Sequence, residues 1–123
     1  MMADDHARAA RGRRILVVED EFFIAEDLRL SLERLGAEVL GPVATVDDAL
    51  ELLARDTTLD GATLDVTLGQ EKSYPVADAL RDRGLPFVLL TGYDDRSLPD
   101  RLADVPRCLK PFDVRRIVEA LFV

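Results

Sequence analysis

Five side chains that could do chemistry follow or end apolar segments that are typical of buried β-strands. Glu19 and Asp20 follow RRILVV, Asp65 ends GATLD, Thr91 follows PFVLL, and Lys110 follows RCL. In an open parallel sheet, ligands bind beyond the carboxyl ends of the strands. The sequence therefore predicts one site that combines three carboxylates, a hydroxyl group and an ammonium group.

The three carboxylates require a cation if they are to lie together. Two like charges about 4 Å apart repel by roughly 4 kcal/mol at an effective dielectric constant near 20. Oxygen ligands without His or Cys favour a hard ion, and Mg²⁺ characteristically takes one or two carboxylates, water and a phosphate oxygen. Lys110 and Thr91 would donate to an anion beside the metal. We therefore expect Mg²⁺ as cofactor, with an anion next to it.

The apolar patterns alternate between strand and helix along the whole chain. Continuous short runs predict the strands, and spacings of three and four predict the helices. The fourth helix is expected to be only a turn or two long. Because crossovers are right-handed in nearly all such chains, we predict a three-layer, doubly wound (βα)5 parallel sheet. The predicted strands lie within 13–18, 38–43, 61–65, 85–92 and 107–112, and the helices within 19–36, 45–55, 75–84, 93–106 and 113–123.

Composition and charge exclude several classes of function. The chain has 123 residues, 48% of them hydrophobic and 33% charged, which predicts a single folded domain. A net charge of −8 argues against direct binding of nucleic acid or an anionic membrane. No apolar run approaches the length of about 20 residues that spans a bilayer. We expect a soluble, cytoplasmic protein.

The single cysteine and the single histidine are expected to be uninvolved in chemistry. Cys108 has no partner for an internal disulfide and is expected to be a small buried hydrophobe. His6 lies in residues 1–12, which are expected to form a flexible tail. A catalytic triad or a histidine-built metal site would need His6 inside the fold, so we give these classes little weight. Phe22 and Phe23 are most simply packing residues at the start of the first helix, although Phe22 lies close enough to Glu21 to line a partner surface.

The motifs VVEDE, LDVTL, LTG and LKPF, in this order and each at a strand end, resemble those of the receiver domain of two-component response regulators. The resemblance covers residues 13–123 and implies the strand order 2-1-3-4-5. It implies that Asp65 is the phosphoacceptor and Asp20 a direct Mg²⁺ ligand. Glu19 would help to hold the metal through water, and Thr67 would offer its backbone carbonyl.

The resemblance also assigns the residues around the phosphoryl group and the element that senses it. Thr91 and Lys110 would hold phosphoryl oxygens, and the Lys110–Pro111 peptide bond would be cis. The face built from the fourth helix, the fifth strand and the last helix would respond to phosphorylation. Many receivers have an aromatic switch residue where this chain has Arg107. Tyr93 either replaces that aromatic residue or is an ordinary loop tyrosine.

Two further features separate this chain from the common receiver pattern. LTGYD resembles a subgroup of stand-alone receivers that carry a threonine-glycine-tyrosine motif. Gly69 stands where receivers often have proline, which leaves the contacts of the loop that follows open.

The implied function is that of a single-domain response regulator rather than an enzyme. It would accept a phosphoryl group from a histidine kinase or a phosphotransfer protein, take part in its own phosphorylation and dephosphorylation, and signal by binding a downstream protein. The alternatives are a phosphate sink for a kinase, a phosphorylation-independent adaptor, and a small Mg²⁺-dependent aspartyl phosphatase. A phosphatase would be expected to carry a second acid at position 67, where this chain has Thr67. The chain is also expected to end without an effector domain, although a receiver excised from a longer regulator remains an alternative.

Overall fold

A five-stranded parallel sheet forms the centre of the computed structural model, which describes residues 3–56, 58–92 and 98–123. In the order in which they lie in the sheet, its strands are β2 (Glu38–Val43), β1 (Arg14–Val18), β3 (Gly61–Asp65), β6 (Phe87–Thr91) and β7 (Arg107–Leu109). Every neighbouring pair is parallel. This order confirms the predicted 2-1-3-4-5 arrangement of the five main strands. A separate hairpin comprises β4 (Thr67–Leu68) and β5 (Glu71–Lys72).

Helices cover both faces of the sheet, as a doubly wound fold requires. Two of them, α3 and α4, pack on one face, while α1, α2 and α5 pack on the other. The segment between β6 and β7 contains, in its described part, a single 3₁₀ turn at Asp100–Leu102, in agreement with the very short fourth helix that we predicted. The helices are α1 (Ala3–Ala10), α2 (Phe22–Arg34), α3 (Val46–Arg55), α4 (Tyr74–Asp82) and α5 (Val114–Phe122).

The central strands are continuous apolar runs because both of their faces are covered. Successive side chains of a strand point to opposite faces, so Leu16 contributes to the core under α3 and α4, whereas Val17 contributes to the core under α2 and α5. Strand β2 lies at the edge of the sheet, where its Gly41 and Pro42 are tolerated. Gly41 has φ +89°, and a Cβ there would lie 3.0 Å from the carbonyl oxygen of Val17.

Two of the helices, α3 and α5, begin with a side-chain cap. The Thr45 hydroxyl accepts a hydrogen bond from the backbone N–H of Asp48 at 3.1 Å. The carboxylate of Asp113 accepts one from the backbone N–H of Arg115 at 2.9 Å. Each bond satisfies a donor that has no partner within its helix.

The expected flexible tail is wrong for residues 3–10, which form α1. This helix packs against α5, and Ala10 is fully buried in the core beneath both. His6 is only 3% exposed, and its Nε2 lies 2.8 Å from a carboxylate oxygen of Glu119 on α5. Next to it, the guanidinium of Arg13 lies 4.8 Å from the centre of the Phe122 ring. The start of the domain at residue 13 stays a prediction, but α1 (Ala3–Ala10) belongs to the packed structure.

Two smaller expectations also need revision. The segment after Gly69 is not simply a loop, because β5 (Glu71–Lys72) pairs with β4 as an antiparallel hairpin and α4 begins at Tyr74. Cys108 is half-buried rather than fully buried, and this burial raises the pKa of its thiol. In the described part of the chain, no helix combines the length and the apolar character needed to cross a bilayer.

The contact between α1 and α5 predicts that His6→Ala destabilises the protein. The change removes a buried ring and the polar contact with Glu119, so we expect the free energy of unfolding to fall by about 1–3 kcal/mol. Urea unfolding followed by circular dichroism measures it. The control Arg11→Ala replaces an exposed side chain of the same segment and should change stability by no more than about 0.5 kcal/mol. Equal effects of the two changes would contradict a structural role for His6.

Candidate receiver site

The predicted site residues meet at the carboxyl ends of the central strands. Glu19 directly follows β1, and Asp65 is the last residue of β3; Thr91 ends β6, and Lys110 follows β7. Glu19, Asp65 and Thr91 are 2%, 6% and 7% exposed. Parallel neighbours end at the same edge, and this brings residues far apart in sequence into one nearly buried group.

Lys110 connects the two buried carboxylates. Its Nζ lies 3.1 Å from Oδ2 of Asp65 and 3.2 Å from both carboxylate oxygens of Glu19. The backbone N–H of Lys110 donates to the carbonyl oxygen of Thr91 at 2.8 Å, and the Lys110–Pro111 peptide bond is cis. The lysine is therefore held at its backbone by β6 while its side chain reaches across to the ends of β1 and β3.

Burial and crowding alter the acidity of this group. Burial, reinforced by the neighbouring Asp65, raises the pKa of Glu19 to about 7, although Lys110 opposes the shift. Burial lowers the pKa of Lys110, but the hydrogen bond and charge of Asp65, with Glu19, outweigh it and leave the pKa above its ordinary value. The lysine is thus charged at neutral pH, whereas Glu19 carries a proton in part of the molecules.

Asp20 completes a set of carboxylates that fits a hard cation. One oxygen each from Glu19, Asp20 and Asp65 lies within 4.8 Å of the others. Asp20 is exposed, in contrast to the other two, so water can reach the set. A set with oxygen donors only, open to water on one side, matches the ligand preference of Mg²⁺.

A contact that sequence analysis missed orients Asp20. The backbone N–H of Gly69, in the turn between β4 and β5, donates to Oδ2 of Asp20 at 2.7 Å. Gly69 has φ +61°, a conformation that glycine adopts without strain. Proline has no N–H and could not make this bond. The glycine that replaces the usual proline of receivers was therefore the available signal, although its meaning depended on a contact across the fold.

Thr67 lies in the same hairpin but is engaged through its side chain. It pairs with Lys72 across the hairpin, and its hydroxyl accepts a hydrogen bond from the Lys72 ammonium at 3.0 Å. The assignment of its backbone carbonyl to a metal stays a prediction.

The residues expected to act as a switch differ in their solvent exposure. Thr91 is nearly buried at the end of β6, whereas Arg107 is exposed at the start of β7. Tyr93 lies outside the described residues. The roles of all three remain predictions.

Phe22 and Phe23 do not pack in the core, so the expectation for them is wrong. They are 68% and 77% exposed, and their rings contact each other edge to face with centroids 5.4 Å apart. Phe22 lines a cleft with Glu19 and Asp20, and Phe23 lines a second cleft with Lys110. The two rings therefore form an exposed apolar surface directly beside the carboxylates.

A doubly wound sheet with strand order 2-1-3-4-5 and a buried Asp-Lys pair beside acidic side chains defines a receiver-type protein. No protein-family model matches the chain. The solved structure of SdrG from Sphingomonas melonis Fr1 is 44% identical in sequence to this chain, with a TM-score of 0.77. The BeF3-activated conformation of SdrG, attributed to Pseudomonas melonis Fr1, is 46% identical, with a TM-score of 0.76. The alignments cover 90% and 89% of this chain and 93% and 96% of those chains.

A curated relative extends the likeness to a longer protein. The sensory transduction protein LytT of Bacillus anthracis is 35% identical over 112 residues, which cover 88% of this chain and 45% of the relative. A response regulator of Burkholderia pseudomallei, solved with a phosphorylated aspartic acid and a calcium ion, is 27% identical with a TM-score of 0.75, over 89% of this chain and 66% of that one. The chain belongs to the receiver domains of response regulators, a family of signalling proteins that generally interact with histidine kinases or phosphotransfer proteins. It spans about half the length of the curated relatives it matches.

The charge arrangement predicts opposite effects for two substitutions in metal-free protein. Asp65→Asn removes one of the crowded negative charges and should raise the free energy of unfolding, whereas Lys110→Met leaves Glu19 and Asp65 without a cation and should lower it. We expect changes of about 1–2 kcal/mol each. Urea unfolding with a chelator at pH 8, above the pKa of about 7 for Glu19, measures both.

The exposed Asp82 offers a control for this pair of variants. Asp82→Asn removes a charge of the same kind far from the site and should leave stability nearly unchanged. Destabilisation by both Asp65→Asn and Lys110→Met would show that packing, rather than charge balance, dominates at the site.

Proposed function

We propose that Asp65 accepts a phosphoryl group from the phosphohistidine of a histidine kinase or phosphotransfer protein, in a reaction that requires Mg²⁺. One observation carries this proposal. The carboxylate of Asp65, 6% exposed at the end of a central strand, lies 3.1 Å from the Lys110 ammonium and within reach of two further carboxylates. Such a group combines a nucleophile, a cation for an anionic ligand and oxygen ligands for a metal.

The chain's own residues divide the work of the transfer. A carboxylate oxygen of Asp65 attacks phosphorus, the P–N bond of the donor breaks, and the imidazole nitrogen leaves with the electron pair and is then protonated. The product is an acyl phosphate. The Lys110 ammonium, already beside Asp65, holds a phosphoryl oxygen, and Thr91 donates to another.

The three carboxylates would hold the metal. Asp20 and Asp65 are the direct ligands, and Glu19 acts through water. When bound, Mg²⁺ offsets negative charge on the carboxylates and on the phosphoryl oxygens. The bond from Gly69 keeps the exposed Asp20 turned toward the hairpin.

The exposed Phe22–Phe23 pair supports a protein phosphodonor. Each ring lines a cleft that also contains site residues, Glu19 and Asp20 on one side and Lys110 on the other. A donor that brings a phosphohistidine up to Asp65 must therefore contact the rings. Burying an exposed aromatic side chain contributes substantially to association.

The phosphatase alternative has less support. The hydroxyl of Thr67 occupies the position where a second acid would be expected, and it accepts a hydrogen bond from Lys72. Whether the output is signalling or drainage of phosphoryl groups from a kinase depends on partners beyond this chain.

Incubation with acetyl phosphate or phosphoramidate tests the acceptor chemistry. Intact mass spectrometry should show a gain of one phosphoryl group that requires Mg²⁺. Asp65→Asn should abolish the gain because the nucleophilic oxygen is lost, whereas Asp82→Asn should retain it. Phosphorylation of Asp65→Asn at the wild-type level would show that Asp65 is not the phosphoryl acceptor.

If no gain in mass is seen, a beryllofluoride titration distinguishes rapid hydrolysis of the acyl phosphate from a failure to form it. If the acyl phosphate hydrolyses quickly, the wild-type protein still binds beryllofluoride in the presence of Mg²⁺. If it neither gains mass nor binds beryllofluoride, the adaptor alternative is favoured and the proposal fails.

Substitution of Phe23 should separate protein donors from small ones. We expect Phe23→Ala to slow transfer from a phosphohistidine protein that labels the wild type by about tenfold or more, because an apolar contact is lost. Labelling by phosphoramidate should be unchanged. Leu30→Ala is the control, since Leu30 is a 42% exposed apolar residue of the same helix that lines neither cleft. Equal slowing by both variants, or slower labelling by phosphoramidate, would contradict a donor contact at Phe23.

A further inference from the structure

A cleft with an excess of positively charged side chains runs along β7 and the start of α5. Its lining includes Arg107, Leu109 and Lys110 from the strand and its end, and Asp113 and Arg116 from the beginning of the helix. The whole chain carries 24 acidic and 16 basic side chains, so a local excess of positive charge stands out from the rest. This basic cleft is separate from the carboxylate group and touches it only at Lys110.

The two arginines of the basic cleft make no direct contact with a carboxylate of the described residues, although the charge of Asp113 acts on Arg116. Neither the Arg107 guanidinium nor that of Arg116 forms a hydrogen bond or an ion pair with a residue in the described ranges. The nearby Asp113 is held by Arg115, with nitrogen-to-oxygen distances of 3.2 Å at both carboxylate oxygens. Lys110 is occupied by Glu19 and Asp65.

The position of Arg116 is unfavourable for a cation in the free chain. It is the third residue of α5, in the first turn, where the helix dipole disfavours positive charge. Arg34 and Arg55 are also exposed and form no ion pair with the described residues, but each lies in the last turn of its helix, where the dipole favours a cation. Arg116 therefore differs from Arg34 and Arg55 in lying where the helix dipole disfavours a cation, although the charge of the neighbouring Asp113 offsets part of this.

The strand beside these arginines presents an open edge. Strand β7 is the last strand of the sheet and pairs only with β6. The carbonyl of Pro106 and the N–H of Lys110 bond to β6, and alternate residues of a parallel strand face the same neighbour. The backbone N–H and C=O groups of Arg107 and Leu109 consequently point away from the sheet. The Leu109 side chain is 58% exposed next to them.

We propose that the basic cleft binds an extended acidic segment of a partner protein, which adds to the edge of β7 as a further strand. Backbone groups of the segment pair with those of Arg107 and Leu109, an apolar side chain covers Leu109, and carboxylates pair with Arg107 and Arg116. Strand addition supplies affinity through the main chain, and the side chains supply selectivity. In the part of the chain that the structure describes, an open strand edge lies beside two guanidinium groups that form no ion pair, and this combination favours an extended segment that carries carboxylates.

This proposal does not depend on the phosphorylation of Asp65. The arginines and the strand edge are present in the unmodified chain, so binding is measured on unphosphorylated protein and on Asp65→Asn. A failure of the acceptor chemistry therefore leaves the binding test intact, and a failure of binding leaves the acceptor chemistry intact.

The test uses a fluorescein-labelled peptide of about seven residues, a typical strand length, with the sequence Glu-Glu-Val-Glu-Glu-Glu-Val. One face of this strand alternates Glu and Val, to match Arg107 and Leu109, and the other face carries only Glu, to match Arg116. The anisotropy of the peptide should rise saturably with protein, and a peptide with Gln in place of each Glu should bind at least tenfold more weakly. Arg107→Gln and Arg116→Gln should each weaken binding of the Glu peptide by about tenfold, because a charge-assisted hydrogen bond is lost. The controls Arg34→Gln and Arg55→Gln should bind as the wild type does.

Backbone pairing is tested separately by NMR and by peptide methylation. The amide signals of Arg107 and Leu109 should shift on binding and become protected from exchange. N-methylation of the peptide at alternate residues should abolish binding in one register and leave it intact in the other.

Several results would overturn the proposal. These are no saturable binding at millimolar peptide, equal affinity for the Glu and Gln peptides, and equal weakening by the control arginine variants. Self-association that requires Arg107 and Arg116, seen by analytical ultracentrifugation, would show that a second copy of the chain occupies the edge instead.

Discussion

The contact on which the site depends is the one between the Lys110 ammonium and the two buried carboxylates of Glu19 and Asp65. Two acids at neighbouring strand ends repel each other strongly when they are shielded from water, and the lysine offsets that repulsion at distances of 3.1 and 3.2 Å. Without a cation one acid would have to be protonated, a tendency already visible in the pKa of about 7 for Glu19. The lysine therefore offsets the charge of two carboxylates in nearly buried positions.

The sheet determines whether this lysine can reach its partners. Lys110 follows β7, and its backbone N–H donates to the carbonyl oxygen of Thr91 at the end of β6. The register between β6 and β7 therefore fixes the position of the Lys110 Cα, from which its side chain extends. A shift of one residue in a parallel strand would turn that side chain to the opposite face. The site thus depends on the apolar runs of the central strands, which determine register through burial on both faces.

The sequence allowed the sheet and the meeting of the site residues to be predicted, because buried parallel strands are continuous apolar runs and their ends carry the polar residues. The strand order followed from the resemblance to receiver domains. The sequence did not allow α1 to be predicted, since the burial of His6 depends on a contact with Glu119, a residue 113 positions away. The bond from Gly69 to Asp20 was inaccessible for the same reason. The packing predicted for Phe22 and Phe23 was wrong for a different reason. Their hydrophobicity suggested burial, but they begin a helix beside an open site and are exposed.

Lys110 also provides a physical route between the acceptor site and the edge of the sheet. Its ammonium group lies with the carboxylates, while its backbone follows Leu109 at the open end of β7, so one residue belongs to both regions. A phosphoryl group on Asp65 would carry about two negative charges in place of the single charge of the carboxylate, and it would compete with Glu19 for this ammonium. Because the lysine backbone is bonded to Thr91, a change in its side-chain partners acts on the last pairing of β6 with β7. The strand beside which Arg107 and Arg116 stand is therefore the part of the sheet most directly exposed to the charge state of Asp65.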